Sequence, residues 1–154
     1  MQSRPLTWSL IRAAVAVGAV ALSACIVVPP PDAPSEPAPI DDGPALQPHP
    51  PVVCQGSENI FLDGVYIETP DNAIEVLGNC DVTIRDSHLR AGGMAIYIAG
   101  NGDVTVENSV IEGARAAVSI HGNGDVFATQ SRIVGPTEVL GNGDIEDGGG
   151  NEWE

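Results

Sequence analysis

The sequence contains no lysine, and aromatic residues make up only 4% of its 154 residues. Positive charge is scarce as well: six arginines stand against 21 acidic residues, giving a formal net charge of −15 at pH 7. So acidic a chain repels phosphate backbones and anionic lipid headgroups, and we expect no nucleic-acid partner. A cationic protein, a neutral glycan or a divalent ion stays compatible with this charge.

The sequence also lacks an apolar stretch of about 20 residues, the length that a transmembrane helix needs. The apolar run from Ala13 to Ala24 is shorter and follows Arg4 and Arg12. A positive segment, a short apolar run and small residues before a cleavage point are typical of a signal peptide. Loss of the two arginines with this peptide would change the net charge from −15 to −17.

The end of this run, Leu22-Ser23-Ala24-Cys25, resembles the lipobox of bacterial lipoproteins. The resemblance implies that residues 1–24 are removed and that Cys25 becomes a lipidated N-terminus. Several acyl chains anchor a protein stably to a membrane, where one chain would be marginal. Ile26 replaces the aspartate that often retains lipoproteins at the inner membrane, which favours the outer membrane in an organism that has one. An ordinary secretory signal is the alternative.

Residues 25–51 form a proline-rich segment between this cysteine and the rest of the chain. It contains ten prolines and no Lys or Arg, so it cannot supply an apolar core. Such a segment is extended, at about 3 Å per residue. We predict a disordered tether, with a proline-rich ligand for a partner domain as the alternative.

The chain from Gly56 onward is repetitive. Aligned on their first glycines, three repeats have 22 residues and the fourth has 19, with the deletion between Gly135 and Thr137. Apolar residues then fall into columns: Ile60, Val82, Val104, Val126; Leu62, Ile84, Val106, Ala128; Ile67, Leu89, Ile111, Ile133; and Val76, Ile98, Ile120, Val139. Within each repeat they alternate with polar residues, which is the period of a strand and excludes a helical array.

Short strands, corners of Gly, Asn, Asp and Pro, and a 22-residue period resemble the right-handed parallel β-helix of the pectate-lyase-like superfamily. The predicted fold is therefore all-β, with about four 22-residue coils over residues 52–147. Solenoids with periods of nine or six residues do not fit. Each coil buries its inward face only against its neighbours. We expect proline to block the first edge. In the acidic, glycine-rich tail, residues 148–154, we expect glycines to reverse the chain and Trp153 to cover the last coil.

Two outward columns carry alternating charge: Asp63, Arg85, Glu107, Thr129, and Glu68, Arg90, Glu112, Val134. Polysaccharide lyases of the resembled fold use an arginine base beside a calcium ion, which directs attention to Arg85 and Arg90. Both arginines have carboxylate neighbours in the aligned repeats, which indicates cross-strand ion pairs. With no Asp-Pro-His-Asp motif and no long inserted loops, we expect no enzyme.

Other outward residues give weaker signals. His88 and His121 are predicted to be surface side chains, because no second His or Cys accompanies either as a metal ligand. Phe61 and Phe127 share an outward column with two threonines between them, so stacking on a sugar ring is a weak alternative to covering the edges. The last column contains small residues at a bend, to which we assign a structural role: Ser87, Ser109 and Ser131.

Each corner before a new repeat reads Gly-Asn-Gly-Asp or Gly-Asn-Cys-Asp. Stacking places the asparagines in one column (Asn79, Asn101, Asn123, Asn142) and the aspartates in another (Asp81, Asp103, Asp125, Asp144). We expect a structural corner, in which Gly permits positive φ, Asn and Asp bond to turn amides, and asparagines bond to one another. Carboxylates ~4.8 Å apart repel by about 0.9 kcal/mol per pair even in water. Weak calcium binding between coils is the alternative, and we expect no other cofactor.

Cys54 and Cys80 remain once Cys25 is assigned to the lipid. Their separation is 26 residues, one coil plus four. On an ideal helix Cys54 lies beneath Val76, so a disulfide is expected to require the chain before Gly56 to leave the helical path as a cap. Both a disulfide and two free thiols stay open.

These features together predict a lipoprotein of the cell envelope that displays a short β-helix on a tether. The preferred function is non-enzymatic, a scaffold or binding module for a glycan, another envelope protein or further copies of itself. The alternative is an accessory or degenerate carbohydrate-active domain. A groove with clustered aromatics and carboxylates would favour the accessory domain, whereas a uniform ladder surface would favour the scaffold.

Overall fold

The computed structural model describes residues 45–154, and every regular element in this range is a β-strand. The predicted signal peptide, Cys25 and most of the predicted tether lie outside the described residues. The strands are β1 Gln47–Pro48, β2 Val52–Cys54, β3 Asn59–Asp63, β4 Val65–Thr69, β5 Ile74–Val76, β6 Asp81–Arg85, β7 His88–Ala91, β8 Met94–Ile98, β9 Val104–Glu107, β10 Val110–Gly113, β11 Ala116–Ile120, β12 Val126–Thr129, β13 Arg132–Val134, β14 Thr137–Val139, β15 Ile145–Asp147 and β16 Glu152–Trp153.

Every third strand joins the same parallel sheet, so the chain winds as a parallel β-helix with three faces. Sheet A contains β1, β4, β7, β10, β13 and β16; sheet B contains β2, β5, β8, β11 and β14; and sheet C contains β3, β6, β9, β12 and β15. The predicted fold class is confirmed. The helix has five coils, one more than expected, because β1 completes the first coil.

The register follows the 22-residue alignment. Leu62, Ile84, Val106 and Ala128 pair in sequence across sheet C. The inward columns are almost fully buried, as for Ile84 and Val106 at 0% exposure. Thr83 and Thr105, which point outward, are half-buried rather than exposed. The three-residue deletion falls at the corner Gly135–Pro136, after which β14 returns to register against β11.

The corner between sheets C and A turns through the left-handed backbone region. Gly64, Asp86, Asn108 and Gln130 stack there with φ between 45° and 62°. Small Asx side chains tolerate this conformation best among non-glycine residues. The amide of Asn108 also donates to Oδ1 of Asp86 across the coils at 2.5 Å.

The glycines of the repeated corner between sheets B and C are needed for a different reason from the one predicted. None of them has positive φ, which among glycines occurs only at Gly64, Gly135, Gly149 and Gly150 within the described range. A Cβ on Gly124 would overlap the carbonyl oxygen of Gly102 in the coil below. Close approach of successive backbones, not backbone handedness, therefore excludes side chains here.

The folded region begins before the predicted boundary at residue 52. Gln47 and His49 donate their backbone N–H groups to Gly64 and Tyr66 of sheet A, each at 2.8 Å. Pro48 lies between these donors, at the position that would point an N–H to the open edge. Proline has no N–H, so this edge strand lacks the donor that another strand would need.

The tail continues the helix and does not reverse. β16 lies parallel to β13, with Trp153 opposite Ile133. Trp153 thus extends the inward column of sheet A and covers the last coil, as expected, with 40% of its surface exposed. The glycine run supplies the left-handed turn of Gly149 and Gly150 that leads into β16.

Candidate functional site

The outward face of sheet A carries most of the side chains with functional chemistry. Tyr66 and His88 lie on neighbouring strands with their rings edge to face, 5.4 Å between centroids. The hydroxyl of Tyr66 donates to Oε2 of Glu68 at 2.9 Å, and this bond raises the pKa of the tyrosine. Nε2 of His88 lies 3.5 Å from Oε1 of Glu112, in the next coil. We call Tyr66, Glu68, His88 and Glu112 the sheet A cluster.

A second group of the same type lies on sheet B and its corner. Tyr97 and His121 pack edge to face at 5.2 Å, and Nε2 of His121 is 3.7 Å from Oε1 of Glu138. Ser119 donates to the same carboxylate oxygen at 2.7 Å. This bond, followed by His121, lowers the pKa of Glu138. Ser119 is fully buried, so no substrate can reach its hydroxyl.

An open furrow runs beside the sheet A cluster, along the corner between sheets C and A. Its volume is about 640 Å³, and Leu46, Asp63, Asp86, His88 and Asn108 contribute to its walls. The furrow is thus lined by two carboxylates, an amide and the ring of His88. The furrow is wide and shallow, which suits an extended ligand better than an enclosed small molecule.

Arg85 and Arg90 occupy the two charged columns as predicted. Nε of Arg85 donates to Oε2 of Glu107 at 2.8 Å, and the guanidinium of Arg90 lies 3.7 Å from Glu112. The hydrogen bond that Arg85 donates to Glu107 raises the pKa of Arg85, with a smaller electrostatic contribution from the same carboxylate. The cross-strand ladder therefore favours the protonated form of Arg85.

The serine column is a buried hydrogen-bond ladder. The backbone N–H of Ser87 donates to Oγ of Ser109 at 3.0 Å, and Ser109 repeats the contact with Ser131 at 3.1 Å. Each hydroxyl in turn donates to the carbonyl two residues earlier. Asn151 ends the ladder by accepting the N–H of Ser131. The hydroxyls are thus consumed by backbone contacts, in agreement with a structural role.

Side chains at the Gly-Asn-Gly-Asp corner bond between coils and not within their own turn. The side-chain amide of Asn101 donates to Asn79, Asn123 to Asn101, and Asn142 to Asn123. The aspartates are linked through their backbones. The N–H of Asp125 donates to Oδ1 of Asp103, and the N–H of Asp144 donates to Oδ1 of Asp125, both at 2.8 Å. Only Asp144 turns back on its own chain, to Ile145.

These backbone donors offset part of the repulsion between the stacked carboxylates. Across the described part of the chain, no three His, Cys, Asp or Glu side chains are grouped closely enough to hold a metal ion. Calcium binding by Asp81, Asp103, Asp125 and Asp144 stays a prediction. It would have to use the oxygens that the backbone leaves free, with water completing the shell.

Cys54 and Cys80 form a disulfide in the structure, with 6.3 Å between their Cα atoms. Cys54 nevertheless keeps its helical register opposite Val76. The expectation that the chain must leave the helical path is therefore wrong. The corner after Val76 is tight enough to return Cys80 to the inside of the coil, where both cysteines are buried.

The C-terminal end contains a polar cap that sequence reasoning missed. Asp147 pairs with Ala128 and so occupies an inward column. Its carboxylate accepts the N–H of Gly149 at 2.8 Å, the amide of Asn151 at 2.6 Å and the indole of Trp153 at 3.3 Å. These bonds, led by Gly149, lower the pKa of Asp147. An aspartate in an otherwise apolar column was the available signal.

The aromatic residues are not clustered on any face. Phe61 and Phe127 stand at opposite ends of their column, with Thr83 and Thr105 between them. Phe61 is 74% exposed and Phe127 40%. The two phenylalanines cannot stack on one sugar ring, since two strands, each about 4.8 Å wide, separate them.

The family profile described as "Right handed beta helix region" matches residues 51–151, well over half of the chain. The chain belongs to this family. No curated protein and no solved structure matches the sequence. The resemblance to a right-handed β-helix is thereby confirmed.

Membership of this family establishes the fold. Any binding function depends on the side chains that the three outer faces of the β-helix carry. Between residues 45 and 154 there is no helix with the length and hydropathy to cross a bilayer. Of the sheet A cluster, His88 also lines the furrow, so this cluster adjoins a concave part of the surface.

Proposed function

We propose that this protein is a lipid-anchored envelope protein whose β-helix is a non-catalytic display and binding module for a glycan or another envelope protein. One observation carries the proposal. From β1 to β16, no connection between consecutive strands exceeds five residues, the length of the segment 99–103 between β8 and β9. A surface without long loops offers ladders and shallow furrows, not an enclosed reaction site.

The arginine ladder supports a non-catalytic role. A base must lose its proton at working pH, and the efficiency of a general base is greatest when its pKa lies near that pH. The contact with Glu107 moves the pKa of Arg85 further from this range. In this proposal Arg85 is a structural cation that pairs with Glu107.

The binding surface in this proposal is the sheet A cluster. Tyr66 presents a ring and a hydroxyl, which together suit the apolar face and the hydroxyl groups of a sugar. The high density of carboxylates disfavours acidic polysaccharides, so a neutral glycan is the favoured carbohydrate. A cationic protein surface fits the same carboxylates.

The test compares two aromatic residues on different faces, the half-buried Tyr66 on sheet A and the exposed Phe61 on sheet C. The Cys25→Ala protein, released from the membrane, is applied to a glycan array and to an envelope extract, with Tyr66→Ala and Phe61→Ala as paired variants. We expect binding that Tyr66→Ala weakens and Phe61→Ala leaves unchanged. Binding that is insensitive to Tyr66→Ala would place the partner on another face and overturn the assignment.

A second function, an accessory carbohydrate-active domain, is favoured by one observation. Asp63, Asp86, Asn108 and His88 all line the furrow, which gives a concave surface groups that can bind sugar hydroxyls. Glycan binding that is lost in Asp86→Asn but kept in Tyr66→Ala would favour this function, because it would place the glycan in the furrow and not on the sheet A cluster. Capture of an envelope protein without any glycan signal would favour the scaffold.

A further inference from the structure

Three peptide bonds of the corner between sheets B and C join asparagine to glycine: Asn101–Gly102, Asn123–Gly124 and Asn142–Gly143. Asparagine followed by glycine is prone to deamidation, because no side chain shields the glycine nitrogen from the asparagine amide. The three sites share the sequence Gly-Asn-Gly-Asp. Any difference in their reactivity in the folded protein therefore comes from the structure.

The ladder holds the first two amides on both sides and the third on one side only. Asn101 and Asn123 each donate to the preceding asparagine and accept from the following one. Asn142 donates to Asn123 at 2.8 Å, and within residues 45–154 no donor reaches its Oδ1 atom. The two strands that follow, β15 and β16, belong to sheets C and A, so within the described residues no further corner between sheets B and C stacks on Asn142.

The glycine partners differ in the same way. The backbone of Gly124 packs on the carbonyl of Gly102, and Gly143 packs on the carbonyl of Gly124. Gly102 and Gly124 are consequently buried between coils, whereas Gly143 is half-exposed. Both the amide that is attacked and the nitrogen that attacks are thus least confined at the last coil.

We propose that Asn142–Gly143 is a modification site at which the folded protein deamidates selectively. The backbone nitrogen of Gly143 attacks Cγ of Asn142, and a C–N bond forms. The bond from Cγ to Nδ2 breaks, and ammonia leaves with the proton from the Gly143 amide. Water then opens the resulting succinimide at either carbonyl, which gives aspartate or isoaspartate at position 142.

The rate difference follows from the contacts that must break before Cγ can turn towards the glycine nitrogen. Asn123 must lose one more ladder hydrogen bond than Asn142, which at ordinary net strength corresponds to roughly five- to tenfold in rate. Opening of an internal coil also requires the coils above it to separate, so this ratio is a lower bound.

The reaction changes the end of the solenoid. The new carboxylate cannot donate to Asn123, and it adds a negative charge two residues before Asp144, so both lost bonding and repulsion weaken the last corner. Isoaspartate in addition lengthens the backbone where Asn142 donates its N–H to Gly122. Asn123 then becomes the unprotected end of the ladder.

The test is peptide mapping by mass spectrometry of the purified, folded protein during storage at mildly alkaline pH and physiological temperature. We expect position 142 to deamidate at least about fivefold faster than positions 101 and 123. The denatured, reduced chain is the control, in which the three sites should react at similar rates. Equal rates at the three sites in the folded protein would overturn the proposal.

The variant Asn142→Ala tests the role of the asparagine ladder at a site other than residue 142. Asn142→Ala removes the donor to Asn123 and leaves the exposed last corner otherwise intact. Asn123–Gly124 should then become the fastest site, while Asn101–Gly102 keeps its slow rate. No acceleration at Asn123, in a variant whose circular dichroism matches the parent, would show that the ladder does not control the reaction.

Discussion

Replacing Val106 with aspartate tests the register on which the whole stack depends. Val106 is fully buried in the middle coil, between Ile84 and Ala128 of the neighbouring strands. The change removes a buried side chain that contributes about 1.5–3 kcal/mol to stability. It also places an unpaired carboxylate in the core, at a cost of several kcal/mol. A small domain is stable by roughly 5–15 kcal/mol, so we expect the stack to unfold or nearly so.

The matched control is the adjacent residue. Thr105 points outward between Thr83 and Phe127 and is half-buried. Thr105→Asp adds a charge near other carboxylates but buries none, so the loss should be about 0.5 kcal/mol, as for most surface changes.

Urea unfolding followed by far-ultraviolet circular dichroism measures both variants against the parent. Thr105→Asp should retain a cooperative transition with a midpoint close to that of the parent, whereas Val106→Asp should show none or a much lower midpoint. Equal shifts for the two would refute the alternation, because a one-residue slip exchanges the two faces of every strand.

Cys25→Ala should release the protein from the membrane fraction, and its retention there would contradict the lipid anchor. Because the pKa of Asp147 is lowered in the folded state, its carboxylate stabilises the fold fully above the ordinary pKa of 3.8, and this stabilisation is lost as pH falls through the lower pKa of the folded state. Asp147→Asn should therefore reduce the fall of Tm at acid pH. Millimolar calcium should leave Tm unchanged against chelator, and a gain that Asp103→Asn abolishes would establish a cation site. Thiol titration of the denatured, unreduced protein should find no free thiol at Cys54 or Cys80.

The repeat length and the alternation of apolar residues were sufficient to predict the β-helix, because stacking aligns residues one period apart. Leu62, Ile84 and Val106 could therefore be assigned to one buried column without a structure. The same alignment predicted the ion pair of Arg85 with Glu107 and the asparagine ladder. In all these cases the interacting residues occupy the same position in successive repeats, and that position can be found from the sequence alone.

Only the tertiary structure shows the contacts between residues at different positions of the repeat, and the contacts at the ends of the stack. Cys80 reaches Cys54 although it lies four residues out of phase, because the corner after Val76 turns sharply, and corner geometry is not encoded in the period. Asp147 serves as a cap in a column that is apolar elsewhere, because the turn into β16 brings Asn151 and Trp153 to its carboxylate.

The glycines of the repeated corner show the same limit. The sequence showed that glycine recurs there, and a left-handed turn was the local explanation. The structure shows instead that each glycine lies against the carbonyl of the coil below, as Gly124 does against Gly102. Such an approach depends on the separation of two backbones that are 22 residues apart, a distance that exists only once the coils have stacked.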